Sequence, residues 1–95
     1  MFGRSATFQI KSDKLDRFET QIPHFRDRLK SLGGLIDCFV AWDENGAGMT
    51  MVVYDTQAAA DAALPTVQSI WTELADYIEG PPTLTSYPNA HRVAG

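Results

Sequence analysis

Ala6, Phe8 and Ile10 are apolar, and Thr7, Gln9 and Lys11 between them are polar. This period of two predicts a strand over 5–11 with one buried face. The pattern then changes period. Leu15, Phe18, Ile22, Phe25, Leu29 and Leu32 recur at intervals of three and four, the stripe of an amphipathic helix. Ser12 or Asp13 stands where such a helix is capped, and Asp16 puts negative charge in its first turn. Pro23 lies within the stripe and predicts a kink, or a break and restart, near Ile22. Gly33-Gly34 ends the helix.

Residues 35–42 and 47–54 read as two further strands joined by Asp43-Glu44-Asn45-Gly46, a hairpin signal. Thr56 is placed to cap an alanine-rich second helix, which Pro65 is expected to interrupt. Val67, Ile70, Trp71, Leu74 and Ile78 form its apolar face, and Gly80-Pro81-Pro82 stops it. Thr83 to Val93 reads as a last strand, broken or bulged at Pro88. The order strand–helix–strand–strand–helix–strand predicts one α+β domain over 1–95. It is a ferredoxin-like βαββαβ sandwich with both helices on one face of an antiparallel sheet.

The other face of that sheet is the informative one. A sheet with one wetted face alternates apolar with polar residues. The first strand does so. The second and third do not: Leu35, Phe39 and Ala41 alternate with Ile36, Cys38, Val40 and Trp42, and Met49, Met51 and Val53 with Val52 and Tyr54. Two strands apolar on both sides need a cover, and the remaining chain supplies none. A second copy packed sheet against sheet is the expected partner, so the chain is expected to be a homodimer.

Composition narrows the function classes. Hydrophobic residues make up 44% and charged residues 21% of 95, values that exclude a disordered tail or a disulfide scaffold. The net charge of −4 is unevenly spread. Residues 1–30 carry seven of the eight basic side chains and four acids, and residues 31–95 carry Arg92 and eight acids. Two solvated helix faces of opposite sign account for this asymmetry. Net negative charge argues against nucleic acid as a partner, and no apolar run reaches membrane-spanning length. Cys38 is the lone cysteine and sits in an apolar run, so it is expected to be a small buried hydrophobe. A single thiol and an N-terminus without an apolar signal core fit a cytoplasmic protein. His24 and His91 have no metal-spaced partner, and no Cys-x-x-Cys, Walker or dinucleotide glycine motif occurs, so neither metal nor cofactor is expected.

Several features together resemble a known family. They are the Gly33-Gly34-Leu35 turn, the passage from Tyr54-Asp55-Thr56 into an alanine-rich helix, and Trp71-x-x-Leu74-Ala75. The exit Glu79-Gly80-Pro81-Pro82-Thr83-Leu84-Thr85 and the closing His91-Arg92-Val93 complete the set. Over nearly its whole length the chain resembles the domains named after antibiotic-biosynthesis monooxygenases, in the dimeric α/β-barrel superfamily. The resemblance implies two sheets pairing into a barrel, with a ligand site in each subunit between its own helices and sheet. Cofactor-free members oxidise polycyclic aromatic substrates, the substrate's own phenolate activating oxygen. Their pattern is an Asn, a Trp four residues on, a Tyr on the second helix and an Arg on the last strand. Here Trp71, Tyr77 and Arg92 match the last three, and Val67 stands at the Asn position. The haem-degrading branch pairs an Asn on the first strand with a His at the second helix. This chain has Thr7 and Gln9 on the one and no His on the other, which disfavours haem.

Two function classes follow. One is a monooxygenase-like protein with an apolar cavity for an aromatic or quinone-like ligand, working, if it is an enzyme, as a cofactor-independent oxidoreductase. The other is a non-catalytic ligand-binding or dimeric assembly module of the same fold. Candidate ligand-binding residues are Trp71, Tyr77, His24, Phe8, Phe18 and Arg92. The bends at Pro23 and Pro65 would open a pocket near Phe8, Phe18, Ile22, Trp71 and Leu74, with His24 or Tyr77 at its mouth. Tyr77, six residues beyond Trp71, is expected to leave the Trp71 face of the helix. Asp37 is out of place in its strand, and either reaches the rim, pairs with a cation or acts as an acid or base.

Overall fold

The computed structural model describes residues 1–95. Its strands are β1 (Phe2–Gln9), β2 (Leu35–Trp42), β3 (Ala47–Tyr54) and β4 (Thr83–Tyr87), and its helices α1 (Ile22–Lys30) and α2 (Gln57–Glu73). The strands form one antiparallel sheet in the order β2-β3-β1-β4, with both helices on one face. This is the ferredoxin-like α+β sandwich that the alternation of periods implies. The first strand begins three residues earlier than its alternation suggests, and Ile10 leaves it to bridge Ile78.

The long stripe from Leu15 to Leu32 is not one helix. Short 3-10 turns cover Ser12–Lys14 and Phe18–Gln21, and a regular α-helix starts only at Ile22, with Pro23 in its first turn. Proline has no N–H to donate, and its ring crowds the carbonyl four residues earlier, so the first turn of a helix is where it costs least. The residues before it tighten into 3-10 geometry and keep Phe18 buried all the same.

At Pro65 the outcome is the opposite. α2 runs unbroken through it for 17 residues, so the expected interruption is absent. Ala60 and Ala63 before the proline and Ile70 after it are buried, and this anchorage on both sides outweighs the lost backbone bond. Small side chains let the first half of α2 approach the sheet closely, where Ala60 and Ala63 pack with Phe2, Val52 and Tyr54. Thr56 caps the helix, its side chain accepting from the Ala59 N–H at 3.1 Å. Arg4, on the helix-facing side of β1, donates to the Ala60 carbonyl at 3.0 Å and to Ser86 Oγ at 3.1 Å, tying α2 to β4 through one guanidinium.

Two glycines are required by their surroundings. Gly34 has φ +79°, and a Cβ there would collide with Asp55 and Ala59. Gly48 lies beneath Phe8, whose ring occupies the space a Cβ would need.

β4 ends at Tyr87, before Pro88, so the predicted strand to Val93 is cut short. The tail then turns back over the open face of the sheet. The Ala90 N–H donates to the Met1 carbonyl, the Ala90 side chain lies over Gly3, and Arg92 reaches Asp37 on β2. The chain therefore does cover one end of that face itself. Most of the face stays open, with Phe39 66% and Met49 42% exposed.

Candidate functional site

The aromatic side chains that the two periodicities turn inward meet at one end of the helix–sheet interior. Phe8 stacks on Phe18 with ring centroids 5.6 Å apart and lies 5.4 Å from Trp71. Phe18 in turn meets Trp42 edge-on at 5.1 Å and Tyr77 at 6.4 Å. Such offset and edge contacts hold rings in fixed relative positions. Beside this cluster, between α1, the neighbouring half of α2 and the edge strand β2, is a cleft of about 530 Å³. Thirteen of its eighteen lining residues are hydrophobic, and the volume falls within the ordinary range for small-molecule pockets. Phe18, Ile22, Trp71 and Leu74 form part of its wall.

The sequence-derived candidates divide accordingly. Trp71 and Phe18 line the cleft. Phe8 stands behind them, buried in the core. His24 is exposed on α1 and Tyr77 is packed against the core; neither lines the cleft. Tyr77 does not leave the Trp71 neighbourhood as a continued helix would require, because α2 ends at Glu73 and the following turns bring the ring back onto Phe18, with Lys14 5.7 Å from its centroid. Arg92 lies outside the cleft and donates to Asp37 Oδ2 at 2.8 Å. Asp37 itself lies in the lining, so its place in an apolar strand is explained by a cation partner.

Cys38 departs from expectation. It faces the helix side of the sheet, paired with Val52, but it is exposed, because β2 is an edge strand and the cleft leaves its flank uncovered. The apolar groups around it push its thiol pKa up, the opposite of what a reactive thiolate needs. Tyr54 is also raised: burial is the main cause, Arg4 counters it and Cys38 adds to it.

Sequence reasoning missed four polar members of the lining, namely Gln21 just before α1, Arg26 and Lys30 on α1, and Thr50 on β3. Arg26 and Lys30 lie four residues apart and one residue along from the stripe positions Phe25 and Leu29. That spacing is the signal that could have found them, once the side of α1 facing β2 is known.

No family model matches the chain, and no curated protein matches it. Solved structures do. A conserved protein from Methanosarcina mazei Go1 superposes with a TM-score of 0.79 at 14% identity, covering 94% of this chain and 92% of that one. A protein from Deinococcus radiodurans named "putative antibiotic biosynthesis monooxygenase" gives 0.79 at 15% identity, over 99% and 97% of the two chains. One of the same name from Nitrosomonas europaea gives 0.76 at 18%, over 96% and 100%. At these identities the likeness is one of fold: the chain has the α+β ferredoxin-like architecture of the monooxygenase-like structures. No helix is long and apolar enough to cross a membrane.

Proposed function

We propose that this monooxygenase-like domain is a cytoplasmic homodimer that binds a flat aromatic or quinone-like ligand in the cleft between its helices and its sheet. The observation that carries the reading is the cleft itself, an apolar space of about 530 Å³ walled by Phe18, Trp71 and Leu74. A planar ring system is the ligand shape that such a wall accommodates with the least loss of contact. The open sheet face supports the dimer, since Phe39, Met49 and Tyr87 are exposed large hydrophobic residues on one surface. Packing that face against a second copy would bury more than about 1,000 Å² and leave each cleft on the outer, helical side.

The same cleft serves a cofactor-independent oxidoreductase when the substrate brings its own ionisable hydroxyl, since Asp37 is already engaged by Arg92 and the Cys38 thiol is held protonated. A binding module without turnover uses the cleft in the same way, and oxygen consumption with dihydroxyaromatic substrates separates the two. Binding itself is tested by fluorescence. The two tryptophans are Trp42 and Trp71. In a Trp42→Phe variant, a neutral planar aromatic should quench Trp71 saturably. Emission unchanged to millimolar ligand, with the variant folded, would overturn the reading.

A further inference from the structure

The apolar lining of the cleft does not account for its charge. Arg26 and Lys30 both line it, both are exposed, and they stand one helical turn apart on α1. The chain's ion pairs are Arg4–Asp61, Arg28–Glu73 and Arg92–Asp37, so neither Arg26 nor Lys30 has an acidic partner. Asp37, the carboxylate in the lining, is already neutralised by Arg92. The mouth of the cleft thus carries two uncompensated positive charges on a chain of net charge −4. The first thirty residues are basic, with seven cations against four acids, but of these Arg26 and Lys30 are the two that line the cleft. Pairing between the two helices does not use them, because that contact is made by Arg28, which donates to Glu73 at 2.6 Å and to Ser69 at 3.3 Å. The dipole of α1 favours a cation at Lys30, in the last turn, but gives no such support to Arg26. Like charges four residues apart on a helix repel. A ligand anion between them would turn that repulsion into attraction.

We infer that the ligand of this cleft is an aromatic carboxylate: a flat ring system against Phe18, Trp71 and Leu74, with its carboxylate between Arg26 and Lys30. The inference rests on the proposed use of the cleft and names the chemistry of what enters it.

Cys38, the only cysteine, lies in the same lining and reports occupancy. Its alkylation by N-ethylmaleimide is followed by intact mass while 2-naphthoate, or its neutral counterpart 2-naphthalenemethanol, is titrated in. Both should slow labelling, the naphthoate at about 3- to 10-fold lower concentration in low salt, the range two partly exposed charge contacts supply. The preference should shrink in 0.5 M NaCl. It should vanish in the Arg26→Gln, Lys30→Gln double variant and survive in Arg26→Lys, Lys30→Arg. Equal protection by the two ligands, or a preference that persists in the glutamine variant, overturns the inference and leaves the cleft as a site for neutral aromatics. Protection by neither ligand overturns the inference together with the proposed site.

Discussion

Gly48→Ala should destabilise the protein, although alanine is the better strand residue. A Cβ built on Gly48 falls 2.5 Å from Phe8 Cζ, 2.6 Å from Phe8 Cε2 and 3.0 Å from the Ala41 carbonyl. Ordinary contact would need the Phe8 ring to retreat by roughly 1 Å. It cannot do so freely, being packed against Phe18 at 5.6 Å and Trp71 at 5.4 Å. Overpacking a filled core costs about 1–3 kcal/mol. Against this, replacing glycine in a regular strand gains about 0.4–1 kcal/mol through the unfolded chain. The expected net loss is about 1–2 kcal/mol, or a fall in Tm of roughly 4–16 °C for a domain of this size. Urea denaturation at one fixed protein concentration measures it. The decisive version is a double-mutant cycle with Phe8→Leu, which removes the ring atoms that collide. In that background Gly48→Ala should be neutral or stabilising, giving a coupling of more than about 1 kcal/mol. Additive effects, or stabilisation by Gly48→Ala in the unmodified chain, would refute the argument that Phe8 is held from both sides.

Arg4→Met should cost about 1.5–3 kcal/mol, because it breaks a charged hydrogen bond to the Ala60 carbonyl, whereas Asp61→Asn should cost less than about 1 kcal/mol, its pairing with Arg4 being largely solvated; equal losses in thermal melts would contradict this division. Cys38 and Tyr54 both have folded-state pKa values raised above those of the unfolded chain. Their contribution is therefore complete below about pH 8.5 and is lost as pH rises through the raised values, so stability should fall on the alkaline side, less steeply in Cys38→Ser; a flat profile from pH 8 to 11 would contradict the assignment. Phe39→Glu should convert a dimer to a monomer in sedimentation at micromolar concentration, and a monomeric unmodified protein would remove the sheet-face interface from the account.

The sheet was legible because its signals are local. Asn45-Gly46 sets the β2–β3 hairpin: Gly46 takes φ +87°, and the Asp43 carboxylate accepts from the N–H groups of Asn45 and Ala47. Thr56 caps α2 where the sequence places a cap. The two prolines carry the same local signal and behave differently. The outcome depends on what the turn before each one packs against, and no local pattern carries that. At Pro23 a new helix starts, whereas at Pro65 buried alanines hold the helix through. Within the candidate site, Phe18, Ile22, Trp71 and Leu74 could be named because the face they share is a matter of period. Arg26, Lys30 and the exposure of Cys38 could not. They depend on β2 being an edge strand and on the space left between it and α1, which is set by tertiary docking.

The most direct measurement is a backbone amide shift map of the isotopically labelled protein titrated with a planar aromatic such as 2-naphthoate. The account predicts shifts that saturate together and cluster on α1 from Ile22 to Lys30, on Leu35 to Cys38 and Val40 of β2, and around Val67 to Leu74 of α2. Shifts confined to Phe39, Met49, Met51 and Val53, with the helix-side residues unmoved, would place the ligand on the open sheet face and contradict it.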